Sequence, residues 1–141
     1  MNDKLSKVLI NKLIENEKLE EMANLQPRTT KLHGVLYSTC NGANEGYPHG
    51  PRVKIKTKNA GRFPIILKPS VKPVTADGLY KNLQNEDKLI VDEAVDYVKA
   101  HQKELLAHWD GIIGDEQLRK VLTKEFTLEQ AIADAKENGL E

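Results

Sequence analysis

The stretch RVKIKTKNAGRFPIIL, residues 52–67, decides the fold. Arg52, Lys54, Lys56 and Lys58 fall on one parity, and Val53, Ile55 and Thr57 on the other. A period of two residues is the signature of a strand with one apolar and one polar face. Asn59-Ala60-Gly61 supplies a tight turn, and Arg62–Leu67 returns as a second strand. Pro64 cannot donate a ladder hydrogen bond, so it belongs at an edge or a strand start. The pattern predicts an antiparallel pair with Val53 and Ile55 on the core side. Its cations stand in a row on the wet side, about 6.6–7 Å apart.

Working outward, KLHGVLYST (31–39) reads as a further strand, and CNGANEGYPHGP (40–51) as a loop rich in glycine and proline. Upstream, Leu5, Val8, Leu9, Leu13, Leu19 and Met22 recur at helical steps, predicting an amphipathic helix over 3–24 that stops before Gln26-Pro27. Such a helix is suited either to packing on the domain or to docking on another chain. Downstream, 68–83 reads as a loop. Residues 85–109 carry the strongest helical stripe, Val91, Val95, Val98, Leu105 and Trp109, with Gly111 as a stop. A short helix follows over 115–123, and Thr127 with Gln130 forms a capping box for a last helix ending at Asn138-Gly139. The expected fold class is α+β: a small antiparallel three-stranded sheet against a long helix, with an N-terminal helix and two short C-terminal helices. The expected division is an N-terminal helix over 1–26, one α+β domain over 27–123 and a C-terminal helix over 124–141.

Composition narrows the class. A chain of 141 residues with 39% hydrophobic and 30% charged residues suits one soluble globular domain. Cys40 is the single cysteine, which excludes an internal disulfide and fits a reducing compartment. The first 21 residues mix acids with apolar side chains, unlike a signal peptide, and no run is apolar enough to span a bilayer. A cytoplasmic protein without membrane contact is expected. The zero net charge hides a segregation. Residues 22–76 carry 9 Lys/Arg against the lone acid Glu45, whereas residues 77–141 carry 8 Lys/Arg against 15 Asp/Glu. Either the acidic part packs beside the basic middle and neutralises it, or the basic middle faces an anionic partner.

Two segments, PHGPRVKIKTK (48–58) and VKAHQKELLAHWDG (98–111), resemble a group of small bacterial and phage proteins of unknown function. That group joins a PHxxRVKI-like strand to a helix ending ELLxxWDG. The resemblance covers roughly residues 28–122, and is similar, more distantly, to a family with a PHxHV strand found in toxin–antitoxin-like gene pairs. In that family a second histidine follows the first, where this chain has Pro51 or Arg52. The resemblance implies the fold and a bacterial or phage setting, and no reaction.

Candidate chemistry centres on the cationic row. Arg52, Lys54, Lys56 and Lys58, extended by Arg62 across the turn and flanked by His49, form the candidate binding set. A lysine-rich edge strand that resists edge-to-edge pairing explains the same row without a ligand. His49 has only Glu45 as a nearby acid in sequence, so a general base there lacks an orienting partner. Cys40 and His49 could form a nucleophile pair if the loop folds back, yet no third group is legible. His101 and His108 lie two helical turns apart, about 10.5 Å of rise, too far for one ion. Trp109 reads as an anchor of helix to sheet. No catalytic set, metal site or cofactor is expected. The leading expectation is a non-enzymatic binding protein that occupies a macromolecular partner, with a protein as the expected one, as an antitoxin-like or phage anti-defence-like inhibitor does. Nucleic-acid binding through the basic ridge is the alternative, a small hydrolase or nuclease the third reading, and self-association through the N-terminal helix a further expectation.

Overall fold

The computed structural model describes residues 22–42, 50–75 and 78–140. Among the described residues five strands run β1 (Met22–Leu25), β2 (Leu36–Thr39), β3 (Arg52–Lys56), β4 (Arg62–Ile66) and β5 (Lys72–Pro73). They form one antiparallel meander in the order β1-β2-β3-β4-β5. The helices are a single turn α1 (Pro27–Thr30), then α2 (Asn85–Ala100), α3 (Gln102–Trp109), α4 (Asp115–Leu122) and α5 (Leu128–Asn138).

The hairpin forms as the alternation predicts, with Ile55 opposite Phe63 and Lys56 opposite Arg62. The α+β class holds, but the expected three-stranded sheet is corrected to five strands. Residues 22–24, the end of the expected helix over 3–24, lie in β1 instead, which pairs Ala23 with Ser38 and Leu25 with Leu36. Ala23 and Leu25 are fully buried against the core. Long-range pairing has overridden a helical period that continued smoothly into this segment. Residues 1–21, with most of that expected helix, lie outside the described residues, as does the loop segment 43–49 with His49 and Glu45. β5 lies in a stretch read as loop, and two residues are too few to show a period. The expected strand over 31–39 is ordered only from Leu36, because Pro27–Thr30 turns helically and Lys31 takes a left-handed conformation at φ 65°.

Paired residues share a face, so the register sorts the sheet. Ala23, Leu25, Leu36, Val53, Ile55, Phe63 and Ile65 face one side and join the helices' Val91, Ala94, Val98, Leu105 and Leu118 in one core. α2 packs on β3 and β5, α3 on β2, and α4 on β1. Burying each of the Val, Leu, Ile and Phe side chains among them stabilises by about 1.5–3 kcal/mol. All packed helices therefore cover the apolar face.

The expected single helix over 85–109 is two helices. The chain breaks at His101, whose φ of −120° leaves the helical region. No Gly or Pro marks the break. The His101 ring lies 4.4 Å from that of Tyr97, and the His101 backbone N–H donates to the carbonyls of Tyr97 and Val98. The capping box of the last helix forms in full, Thr127 accepting from the Gln130 N–H and Gln130 from that of Thr127.

Candidate functional site

The opposite face of the sheet carries the cations. Three rows of aligned residues cross it: Asn24, Tyr37, Lys54 and Pro64; Arg52, Ile66 and Lys72; and Lys56 with Arg62. None of the five strands contains an Asp or Glu. Arg52 and Lys54 are half-buried, so their stems cover the sheet, while Lys56, Arg62 and Lys72 are exposed. Lys56 and Arg62 are directly opposed, and like charges in that relation repel. The Arg62 guanidinium turns over the Tyr37 ring, 4.0 Å from its centroid, a contact worth about 0.5–1 kcal/mol at an exposed site. Tyr37 is buried beneath it at 8% exposure.

The structure thus brings together Arg52, Lys54, Lys56 and Arg62 from the expected set and adds Lys72. It separates Lys58, which lies beyond the end of β3. Lys58 leans to the helical side, where its Nζ stands 3.4 Å from Glu86 Oε2. Asn59 also donates to Glu86, and these two hydrogen bonds hold the Glu86 carboxyl below the usual carboxylate range. The backbone N–H groups of Lys58 and Asn59 donate to the fully buried Asp87 carboxylate at 2.9 and 3.3 Å. Neutralisation by the acidic helices reaches the turn and stops there. Among the described residues no carboxylate pairs with Arg52, Lys54, Lys56, Arg62 or Lys72.

A second cluster lies inside the helical layer. His108 is fully buried, with Nδ1 2.7 Å from Ser38 Oγ and Nε2 2.7 Å from Asp115 Oδ1. Cys40 Sγ lies 3.5 Å from the Ile113 carbonyl. The ligating atoms of Cys40, His108 and Asp115 are all within 4.8 Å of one another. Its walls are made where Cys40-Asn41-Gly42 docks on the end of α3. Asn41 N–H donates to the His108 carbonyl at 3.0 Å. A Cβ at Gly42 would stand 2.5 Å from the Trp109 ring, which therefore rests on bare backbone. Gly111 has φ 74°, and a Cβ there would meet Asn41 Oδ1 at 2.7 Å. Trp109 is thus seated on the segment that follows β2 rather than on a strand, and Gly111 ends α3 in the left-handed region, the stop expected of it.

Ser38, His108 and Asp115 have the residue types of a hydrolytic triad, but Ser38 is 1% exposed beneath the helices. A nucleophile must reach its substrate, and this hydroxyl faces only protein. The trio instead joins β2 to the α3–α4 corner. Sequence reasoning missed it because Ser38 and His108 are 70 positions apart. The Cys40–His49 pairing falls on a residue outside those described.

A groove of about 440 Å³ runs along the β3–β4 turn, bounded by Asn59, Arg62, Pro64, Leu79 and Leu83. No helix among the described residues is long and apolar enough to cross a membrane. No family model matches the chain, and comparison with curated proteins and with solved structures returned no match.

Proposed function

We propose that this is a non-enzymatic binding protein that acts by occupancy, holding the phosphate backbone of a nucleic acid against the outer face of its sheet. The observation that carries this reading is the acid-free strand face with five cations in three adjacent rows. Strands about 4.8 Å apart turn the sequence's single ridge into a two-dimensional patch. Four of the five cations come from strands flanking one another in the middle of the meander. The three lysines favour phosphate over a protein partner: lysine is depleted at protein–protein interfaces, whereas both Lys and Arg neutralise backbone phosphates. Tyr37 sits under Arg62 rather than open to a base, so the contact is with sugar and phosphate and tolerates sequence.

The test reverses exposed charges that take no part in the core. The double variant Lys56→Glu/Lys72→Glu is expected to keep its circular dichroism spectrum and lose at least tenfold in affinity for duplex or single-stranded nucleic acid. Lys136→Glu, on the exposed side of α5, is the control and is expected to bind as the native protein does. Undiminished binding by the double variant, or an equal loss in the control, contradicts the assignment. Retention of an acidic polypeptide in preference to nucleic acid reassigns the face to a protein partner.

A further inference from the structure

We infer that Cys40, His108 and Asp115 form a binding site for one zinc-class divalent ion, a clasp that fastens the end of β2 to the corner between α3 and α4. Three observations converge on it. The first is the donor set. A thiolate, an imidazole and a carboxylate from three separate chain segments place their ligating atoms within 4.8 Å of one another. Zinc takes these donors at about 2.0–2.3 Å in tetrahedral sites, which puts neighbouring ligand atoms about 3.3–3.7 Å apart. The His108–Asp115 contact of 2.7 Å must open by about 0.6 Å, and a separation as wide as 4.8 Å must close by about 1 Å. Magnesium and calcium require shells built mainly of oxygen, which this set does not offer.

The second observation is the support around the histidine. Metal-bound histidines almost always give their other ring nitrogen to a hydrogen-bond partner, which fixes the ring and its tautomer. His108 is fully buried, and its Nδ1 lies 2.7 Å from Ser38 Oγ, leaving Nε2 directed at Asp115. With an ion bound, Nδ1–H donates to Ser38 and Nε2 is the ligand. Without one, Nε2–H donates to the Asp115 carboxylate and the Ser38 hydroxyl donates to Nδ1. The ring has a satisfied arrangement in both states.

The third observation is charge. A divalent cation with one thiolate, one carboxylate and a neutral imidazole is a neutral assembly, which a buried site accommodates far better than a bare charge. The Asp115 side chain is 21% exposed and Cys40 is partly exposed, so the site opens to solvent on one edge. Water enters the fourth position from that edge. The inference is independent of the outer sheet face, since the cluster lies in the helical layer.

The experiment uses the whole purified protein, stripped with a chelator and titrated with Co²⁺ and then Zn²⁺. One equivalent of Co²⁺ is expected to produce a thiolate-to-cobalt charge-transfer band, which Zn²⁺ abolishes. The band is expected to disappear in Cys40→Ser. Affinity is expected to fall 10–100-fold in Ser38→Ala, as when a partner of a ligating histidine is removed. Zn²⁺ is expected to raise the Tm of the native protein and not that of Asp115→Ala, a comparison that stands even if a variant starts from a lower Tm. No thiolate band in the native protein, a band surviving Cys40→Ser, or the same Zn²⁺-induced rise in Asp115→Ala overturns the site.

Discussion

Asp87 shows how one side chain joins two layers. It stands in the first turn of α2, where an acid suits the positive end of the helix. Its carboxylate is fully buried and accepts the backbone N–H groups of Lys58 and Asn59, pinning the β3–β4 turn to the helix. Asp87→Ala leaves those two donors without their acceptor and is expected to cost about 1–3 kcal/mol in urea unfolding. Tyr97 makes the opposite kind of contribution. Burial, with a lesser push from Glu104, raises its phenol to about 12. A raised folded value means the neutral form is favoured on folding, so that stability is complete below the ordinary tyrosine range near pH 10 and is lost as pH rises toward 12. Tyr97→Phe is expected to weaken the alkaline loss of Tm between about pH 10 and 12, measured against the native protein. Neither residue announces this in sequence. His108 is hidden more deeply, because its partner Ser38 arrives from 70 positions away.

At the scale of elements, what could be read depended on length and period. The hairpin was legible because seven alternating residues, a turn and an apolar return leave no competing period. The capping box of α5 was legible because its four residues are contiguous. β1 was not, since four residues continued a helical stripe and only pairing with β2 distinguishes the two. The break between α2 and α3 was not, since no helix breaker marks His101. α3 itself is held by burial. Leu105 is fully enclosed among sheet and helix residues, and Leu105→Ala is expected to cost about 2–5 kcal/mol, read as a lower urea midpoint at unchanged slope. An effect below 1 kcal/mol would mean that α3 is not seated on β2 as described.

The whole molecule has two unlike faces. Helices cover the apolar side of the sheet and carry the acids of the C-terminal half, and the strands present cations on the other side. The sequence showed this segregation along the chain and left open whether the halves cancel. The register resolves the matter locally: Lys58 meets Glu86 at the turn, while the outer rows face away from the helices. The candidate set was legible in part, since strand parity grouped Arg52, Lys54 and Lys56. Lys72 and Tyr37 joined them only through neighbouring strands, which period alone cannot align. A patch of five cations binding a phosphate backbone releases counterions, and affinity then falls steeply with salt.

The most direct test is the salt dependence of duplex DNA binding by the native protein. With four to five phosphates contacted, log affinity against log salt concentration is expected to be linear with a slope of about −4. A slope near zero, or no binding even at low salt, would contradict the assignment of the outer sheet face to nucleic acid.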